Sequence, residues 1–165
     1  MLYRQAKEQD IDSICMLIKD AIINMEKHNI FQWDNLYPNK EDFMEDIRKG
    51  ELYVGLLDDD IVVVYTINTE CDAEYQKGDW KYWDCEYRVL HRLCVNPNYQ
   101  NRGIAKSTLM YIEEKLQKMN ITSIRLDVYS NNPFALELYS NSGYEKVGFV
   151  DWQKGRFYLM EKYIK

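Results

Sequence analysis

Between Val95 and Ala105 the chain reads Val-Asn-Pro-Asn-Tyr-Gln-Asn-Arg-Gly-Ile-Ala, and here the residue types offer chemistry most directly. An apolar run stops at Asn96-Pro97-Asn98, and a loop containing Gly103 leads straight into a helical pattern. The first turn of a helix has N–H groups with no intrahelical partner and carries about half a positive charge. Phosphate groups bind there. Gly103 permits a turn that aims successive N–H groups into one concavity. Gln100 and Arg102 flank the mouth, and Lys106 adds a cation on the first helical turn. The spacing lacks the Gly-Lys-Ser/Thr ending of a nucleotide P-loop and the three glycines of a dinucleotide loop. On these residues alone the segment reads either as a phosphate-binding helix start or as a strand-to-helix turn that uses one glycine for its shape.

Such a loop needs a strand before it and a helix after it. Arg88 to Val95 is the strand, and Ala105, Leu109, Ile112, Leu116 and Met119 recur every three or four residues, which predicts an amphipathic helix from about Gly103 to Met119. Upstream, Leu2 to Ala6 predicts a strand. Asp10 then reads as the N-cap of a helix whose buried face is Ile11, Ile14, Cys15, Ile18, Ile22 and Met25. A second helix spans about Glu41 to Arg48 and ends at Gly50. Leu52 to Leu57 and Ile61 to Thr66 form a hairpin across Asp58-Asp59-Asp60. Thr69 to Tyr87 is polar and aromatic with no period. Downstream come a strand with Ile124, Leu126 and Val128, and a short helix opened by Asn132-Pro133 and closed by Gly143. Strands near 144–150 and 156–163 end the chain. The order β-α-α-β-β-β-α-β-α-β-β predicts an α/β fold with a mixed sheet and some parallel pairing, in one domain over residues 1–165.

The bulk properties exclude several functions. The 165 residues carry a formal net charge of -6 with no basic run, which argues against nucleic acid as a partner. Four cysteines, Cys15, Cys71, Cys85 and Cys94, form no Cys-x-x-Cys pair, and the two histidines, His28 and His91, lie far apart, so no metal site is expected. Cys15 and Cys94 read as core; Cys71 and Cys85 could pair across a loop, with free thiols the default. No run is long enough for a signal peptide or a membrane span, so the expected location is cytoplasmic. The fourteen tyrosines serve pocket walls, an interface or a Tyr-rich sheet.

Gln100-x-x-Gly103-x-Ala105, placed after Leu93-Cys94-Val95-Asn96-Pro97, resembles the coenzyme A loop of the GNAT family of N-acetyltransferases. Val128 to Tyr139, with Asn132-x-x-Ala135-x-x-x-Tyr139, and Ser142-Gly143-Tyr144 resemble that family's second conserved segment. The order of elements is similar over nearly the whole chain. The resemblance implies a fold in which two central strands splay at a bulge and hold the pantetheine arm of acetyl-coenzyme A. It places Leu93, Cys94 and Val95 along that arm, and Gln100, Asn101, Arg102, Gly103, Ile104, Ala105 and Lys106 around the pyrophosphate. Asn132 is an added cofactor contact or simply an N-cap. Tyr139 matches the family's general acid, or else packs one turn beyond Ala135. His91 matches a position that holds the base in some members, and alternation along the strand puts it on the face of Leu93. Glu70, Asp84 and Glu86 compete for that role through water, and a sheet-bound histidine is the bland reading. Cys94 points away from that face, which argues against an acyl-enzyme.

The same resemblance puts the acceptor site on Phe31 to Tyr37 and Glu70 to Tyr87, with Trp33, Tyr37, Trp83 and Glu86 as the principal contacts. Aromatics and carboxylates suit a cationic amine, and equally these rings can bury an irregular segment or form a homodimer surface. The implied activity is acetyl transfer to a small-molecule amine, with a protein amine as the alternative acceptor and a non-catalytic acyl-coenzyme A sensor as the alternative class.

Overall fold

The structure is a computed structural model that describes residues 1–165. Seven strands form one mixed sheet in the order β1-β2-β3-β4-β5-β7-β6, with four helices, as the sequence predicts. The chain divides into two compact units, Met1–Ile67 with Arg92–Ala105, and Asn68–His91 with Lys106–Lys165.

The first unit holds β1 (Leu2–Gln5), α1 (Ile11–Lys27), α2 (Lys40–Arg48), β2 (Leu52–Leu57), most of β3 (Asp60–Asn68) and the second half of β4 (Tyr87–Val95). Its core follows from periodicity. Ile11, Ile14, Leu17, Ile18 and Ala21 form one face of α1 and cluster with Phe43 of α2 and with Leu52, Val54, Val64 and Cys94 of the sheet. Asp58 and Asp59, both left-handed with φ of 48° and 71°, make the two-residue turn that a β2–β3 hairpin requires. Asp10 does not cap α1. It is already helical (φ -83°, ψ -12°), so the chain turns earlier, at the extended Lys7. The Asp10 carboxylate accepts the Lys7 N–H at 2.7 Å and pairs with Arg4 at 2.7 and 2.9 Å.

The second unit holds the first half of β4, α3 (Ile104–Lys118) from Lys106 onward, β5 (Ser123–Tyr129), α4 (Pro133–Asn141), β6 (Glu145–Trp152) and β7 (Gly155–Tyr163). Antiparallel pairing runs along all of β5 with β7, and β6 follows β7 with one register shift between Lys146 and Gly148. The parallel ladder between β4 and β5 is much shorter. It spans Tyr87↔Ser123, Arg88↔Ile124 and Val89↔Arg125 and stops there, although β5 continues to Tyr129.

Residues 69–86 show no sequence period because they are irregular, anchored through Tyr75 and Trp80 while most of the segment is exposed. A single 3-10 turn, Ala73–Lys77, buries Tyr75, whose hydroxyl donates to Asp127 at 2.5 Å. Tyr75 and Trp80 lie on Val89, Val147, Val150 and Leu159. The Arg125 guanidinium sits 4.7 Å from the Trp80 ring centre and 4.0 Å from that of Tyr87. All four cysteines are free thiols, including Cys71 and Cys85. No helix is long and apolar enough to cross a membrane.

Candidate active site

The loop before α3 is built from backbone handedness. Asn96 accepts the Asn98 N–H at 3.0 Å and opens a 3-10 turn, Pro97–Tyr99, that ends β4. Asn101 (φ 61°) and Gly103 (φ 74°) then take left-handed conformations on either side of Arg102. Asn and Gly tolerate this region best, and the alternation turns the peptide groups ahead of the helix. A Cβ added to Gly103 would meet nothing within 4 Å. Glycine is required there by φ, and the space beside it is open, which fits a phosphate-sized occupant. Ile104 anchors the helix start on Val62 and Val63, with Leu93, Val95 and Tyr99 around them.

Side chains hold this loop from outside. Gln100 accepts from Asn24 Nδ2 of α1 at 3.2 Å and donates to the Val95 carbonyl at 3.4 Å. Arg102 lies 5.2 Å from the Tyr99 ring centre, and the Tyr99 hydroxyl donates to Asp60 at 3.0 Å. Gln100 and Arg102 therefore have structural partners, while Lys106 is exposed. The contribution of Asn24 was invisible in the sequence, because nothing in a helix face announces a partner 76 residues away.

His91 and Leu93 flank the most unusual residue of β4. Arg92 has φ 50°, in the left-handed region where a long side chain is rare. Such a residue breaks the period of two, so the expectation that His91 and Leu93 share a face loses its basis. Leu93 and Val95 pack around Ile104, whereas Cys94 packs on the α1 side. Burial pushes the Cys94 thiol up to about 12, so it stays protonated at neutral pH and is a poor nucleophile.

In the second unit, His91 Nε2 lies 2.9 Å from Asn68 Oδ1 and 2.9 Å from the Glu70 carbonyl. A backbone carbonyl only accepts, so Nε2 carries the proton of the neutral ring and Nδ1 carries the basic lone pair. Tyr139, 8% exposed, sits near the end of α4 with its ring edge-on to Tyr144 at 5.5 Å. Tyr144 donates to Glu113 at 3.3 Å, and Glu113 pairs with Lys162 at 2.7 Å, so half-buried polar groups of α3 and β7 fix the ring that abuts Tyr139. Burial, then the Glu113 charge, raises the Tyr144 hydroxyl well above the ordinary tyrosine value. Asn132 is buried and accepts the Ala135 N–H at 3.1 Å, so its N-cap role is present.

The four principal acceptor candidates divide two and two. In the first unit Trp33 packs partly into the core beside α1, and Tyr37 is 47% exposed with its hydroxyl accepting from Arg92 at 2.9 Å. In the second unit Trp83 is 78% exposed, and the Glu86 carboxylate is exposed while its backbone carbonyl accepts from Thr122 and Ser123. Tyr75, Trp80 and Tyr87 bury the irregular segment. No group of three or more His, Cys, Asp or Glu side chains is arranged to hold a metal ion.

The family model for GNAT acetyltransferases matches residues 21–144, which include the loop before α3, the end of β4 and all of α4. The chain belongs to the GNAT acetyltransferase family. It is an acyltransferase with that family's fold. The N-acetyltransferase YesJ of Bacillus subtilis is 24% identical over 159 residues, covering 94% of this chain and 86% of YesJ. The crystal structure of a GNAT acetyltransferase from Streptococcus agalactiae superimposes with a TM-score of 0.88 at 24% identity, over 99% of this chain and 95% of that one. A shorter similarity, 28% over 58 residues, covers 35% of this chain and 39% of the ribosomal protein bS18-alanine N-acetyltransferase of Escherichia coli.

Proposed function

We propose that this GNAT enzyme transfers the acetyl group of acetyl-coenzyme A directly to a primary amine, with a small molecule as the preferred acceptor. The observation that carries the reading is the paired left-handed geometry of Asn101 and Gly103 with open space beside Gly103. The N–H groups from Asn101 to Ala105, with Lys106 nearby, bind the pyrophosphate. Backbone groups of Leu93 and Val95 hydrogen-bond the pantetheine amides, Cys94 lies beside them in the strand, and Asn132 adds a cofactor contact.

The amine must lose a proton before or as it attacks. A lysine-like amine has a pKa near about 10.4, so deprotonation at neutral pH costs roughly 4 kcal/mol. His91 takes that proton at Nδ1, the nitrogen left unprotonated by the Glu70 contact. Tyr139 donates to the departing thiolate. Because a thiol-type pKa of about 8.5 makes this a fair leaving group, the tyrosine accelerates the step by about 10²-fold or less. The high pKa of Cys94 favours direct transfer over an acyl-enzyme. Trp33, Tyr37, Trp83 and Glu86 contact the acceptor. The short similarity to an enzyme named for a ribosomal protein's alanine supports an α-amino group of a protein as the second reading.

Incubation with acetyl-coenzyme A and a panel of amines, amino acids, polyamines and short peptides, read by mass spectrometry, tests both readings. Products one acetyl group heavier among the small amines are expected; products confined to peptides would favour the second reading. Tyr139→Phe should slow turnover with coenzyme A affinity intact, and full activity in that variant would remove Tyr139 as the acid.

A further inference from the structure

Arg92 is a long, charged residue in a left-handed backbone conformation that persists only where its surroundings over-determine it. Its side chain is held on several sides. The guanidinium pairs with Asp46 of α2, a carboxylate that also accepts the Thr66 hydroxyl at 2.8 Å. Thr66 Oγ1 lies 3.5 Å from the same Arg92 nitrogen. Asp46 and Thr66 are buried, and the Arg92 side chain is 14% exposed. The other terminal nitrogen donates to the Tyr37 hydroxyl at 2.9 Å, between the rings of Tyr37 and Phe43. Nε is buried without a hydrogen-bond partner. An arginine whose purpose was to satisfy its own hydrogen bonds would not leave that donor unmade; this one is placed for reach.

Tyr37 closes a turn held by local hydrogen bonds. Asp34 Oδ1 accepts the Leu36 and Tyr37 N–H groups at 2.8 and 3.1 Å, and the Asp34 N–H donates to the Tyr37 carbonyl at 3.0 Å. Asn39, the α2 cap, donates to the Leu36 carbonyl at 2.9 Å. This closed turn leaves Leu36 75% and Tyr37 47% exposed. The Arg92–Tyr37 hydrogen bond links it to β4.

We infer that Arg92 is a positioning residue for the acceptor amine: by bridging Asp46 and Tyr37 it locks the Asp34–Tyr37 turn to β4 and so sets where the acceptor is held. It acts through Tyr37. The assignment rests on the proposed acceptor role of Tyr37.

The test uses Arg92→Lys, which keeps a cation beside Asp46 and so protects the fold but loses the forked reach, together with Tyr37→Phe and the double variant. Each single change should raise the KM for the amine about tenfold, as expected for a lost hydrogen bond to a charged group. Turnover number and coenzyme A affinity should stay within about twofold, and the double variant should match the worse single variant because one link is broken twice. Multiplying effects in the double variant, a fall in turnover with KM unchanged, or weakened coenzyme A binding would each overturn the assignment. Hydrogen exchange of residues 31–38 supplies a readout independent of catalysis. Arg92→Lys should speed it, and unchanged exchange would overturn the locking role. Were the unaltered enzyme to acetylate no amine, the proposed function would fall, while the exchange experiment would still decide whether Arg92 holds the turn.

Discussion

The loop before α3 and the segment between β3 and β4 look equally eventful in the sequence, yet they use their residues in opposite ways. Residues 96–105 keep space open: Gly103 adopts φ 74° and a Cβ there would touch nothing within 4 Å. Residues 69–86 fill space: Tyr75 and Trp80 are stacked 5.6 Å apart, and a Cβ on Gly148, beneath them on β6, would lie 3.3 Å from the Gly78 Cα. One glycine is needed for its handedness and the other for its lack of bulk. An accumulation of aromatic and acidic residues is therefore weaker evidence of a binding surface than one backbone position that only a few residue types can occupy.

The largest effect should come from Gly103→Val. Left-handed geometry costs a β-branched residue about 1–2 kcal/mol or more, and the side chain would project into the open space that the proposed function assigns to the pyrophosphate. Coenzyme A affinity by calorimetry should fall about 100-fold in a protein that still melts cooperatively; unchanged affinity would erase the contrast. Next is Trp80→Ala, which removes the ring between Tyr75 and Arg125. It should cost about 2–3 kcal/mol in denaturant unfolding and leave coenzyme A affinity alone. Loss of affinity without loss of stability would mean that the segment serves the cofactor after all.

An alkaline limit sharpens the same contrast. Burial, then the Asp127 charge, raises the Tyr75 hydroxyl well above the ordinary value. A group whose pKa is raised by folding contributes its stability below the unfolded-state pKa, about 10 for tyrosine, and loses it as pH rises beyond that. Stability should begin to decline above about pH 8.5, where the unfolded chain can ionise the Cys94 thiol that burial keeps protonated, and to decline more steeply above about pH 10, where Tyr75→Phe should make the slope shallower. Tyr144, shifted in the same direction, keeps it from vanishing. The smallest effect belongs to Trp83→Ala. At 78% exposure its removal should change stability by no more than about 0.5 kcal/mol, so a raised KM for the amine would identify a direct substrate contact.

Where local chemistry dictates structure, the sequence was readable. The Asn132-Pro133 start of α4, the Asp58-Asp59 turn and the Gly103 loop each carry their conformational instruction in one or two residues. Asp10 misled because the pattern marks a helix start without saying whether a 3-10 turn precedes it. Arg92 escaped notice for a deeper reason. An arginine in an apolar strand reads as an outward-facing residue, and only the tertiary partners Asp46, Thr66 and Tyr37, each more than 25 positions away, show that its side chain is drawn inward and held. The aromatic segment was ambiguous on the same grounds, since composition does not say whether a ring meets its own core or a visitor.

The register shift in β6 bears on self-association. Val147 has no partner on β7 and gives its carbonyl to the Asp79 N–H at 2.7 Å. The close approach of Gly148 to Gly78 brings residues 77–79 against the strand at that point. An edge strand invites further chains to add on, and a bulge covered by another segment is one way of refusing them. Past the bulge and the covered Gly148, Phe149 to Trp152 leaves a run of four edge residues, shorter than an ordinary strand of about five or six. A copy of this protein that joined at β6 would find too short a ladder to grip, which guards the concentrated enzyme against end-to-end aggregation at that edge.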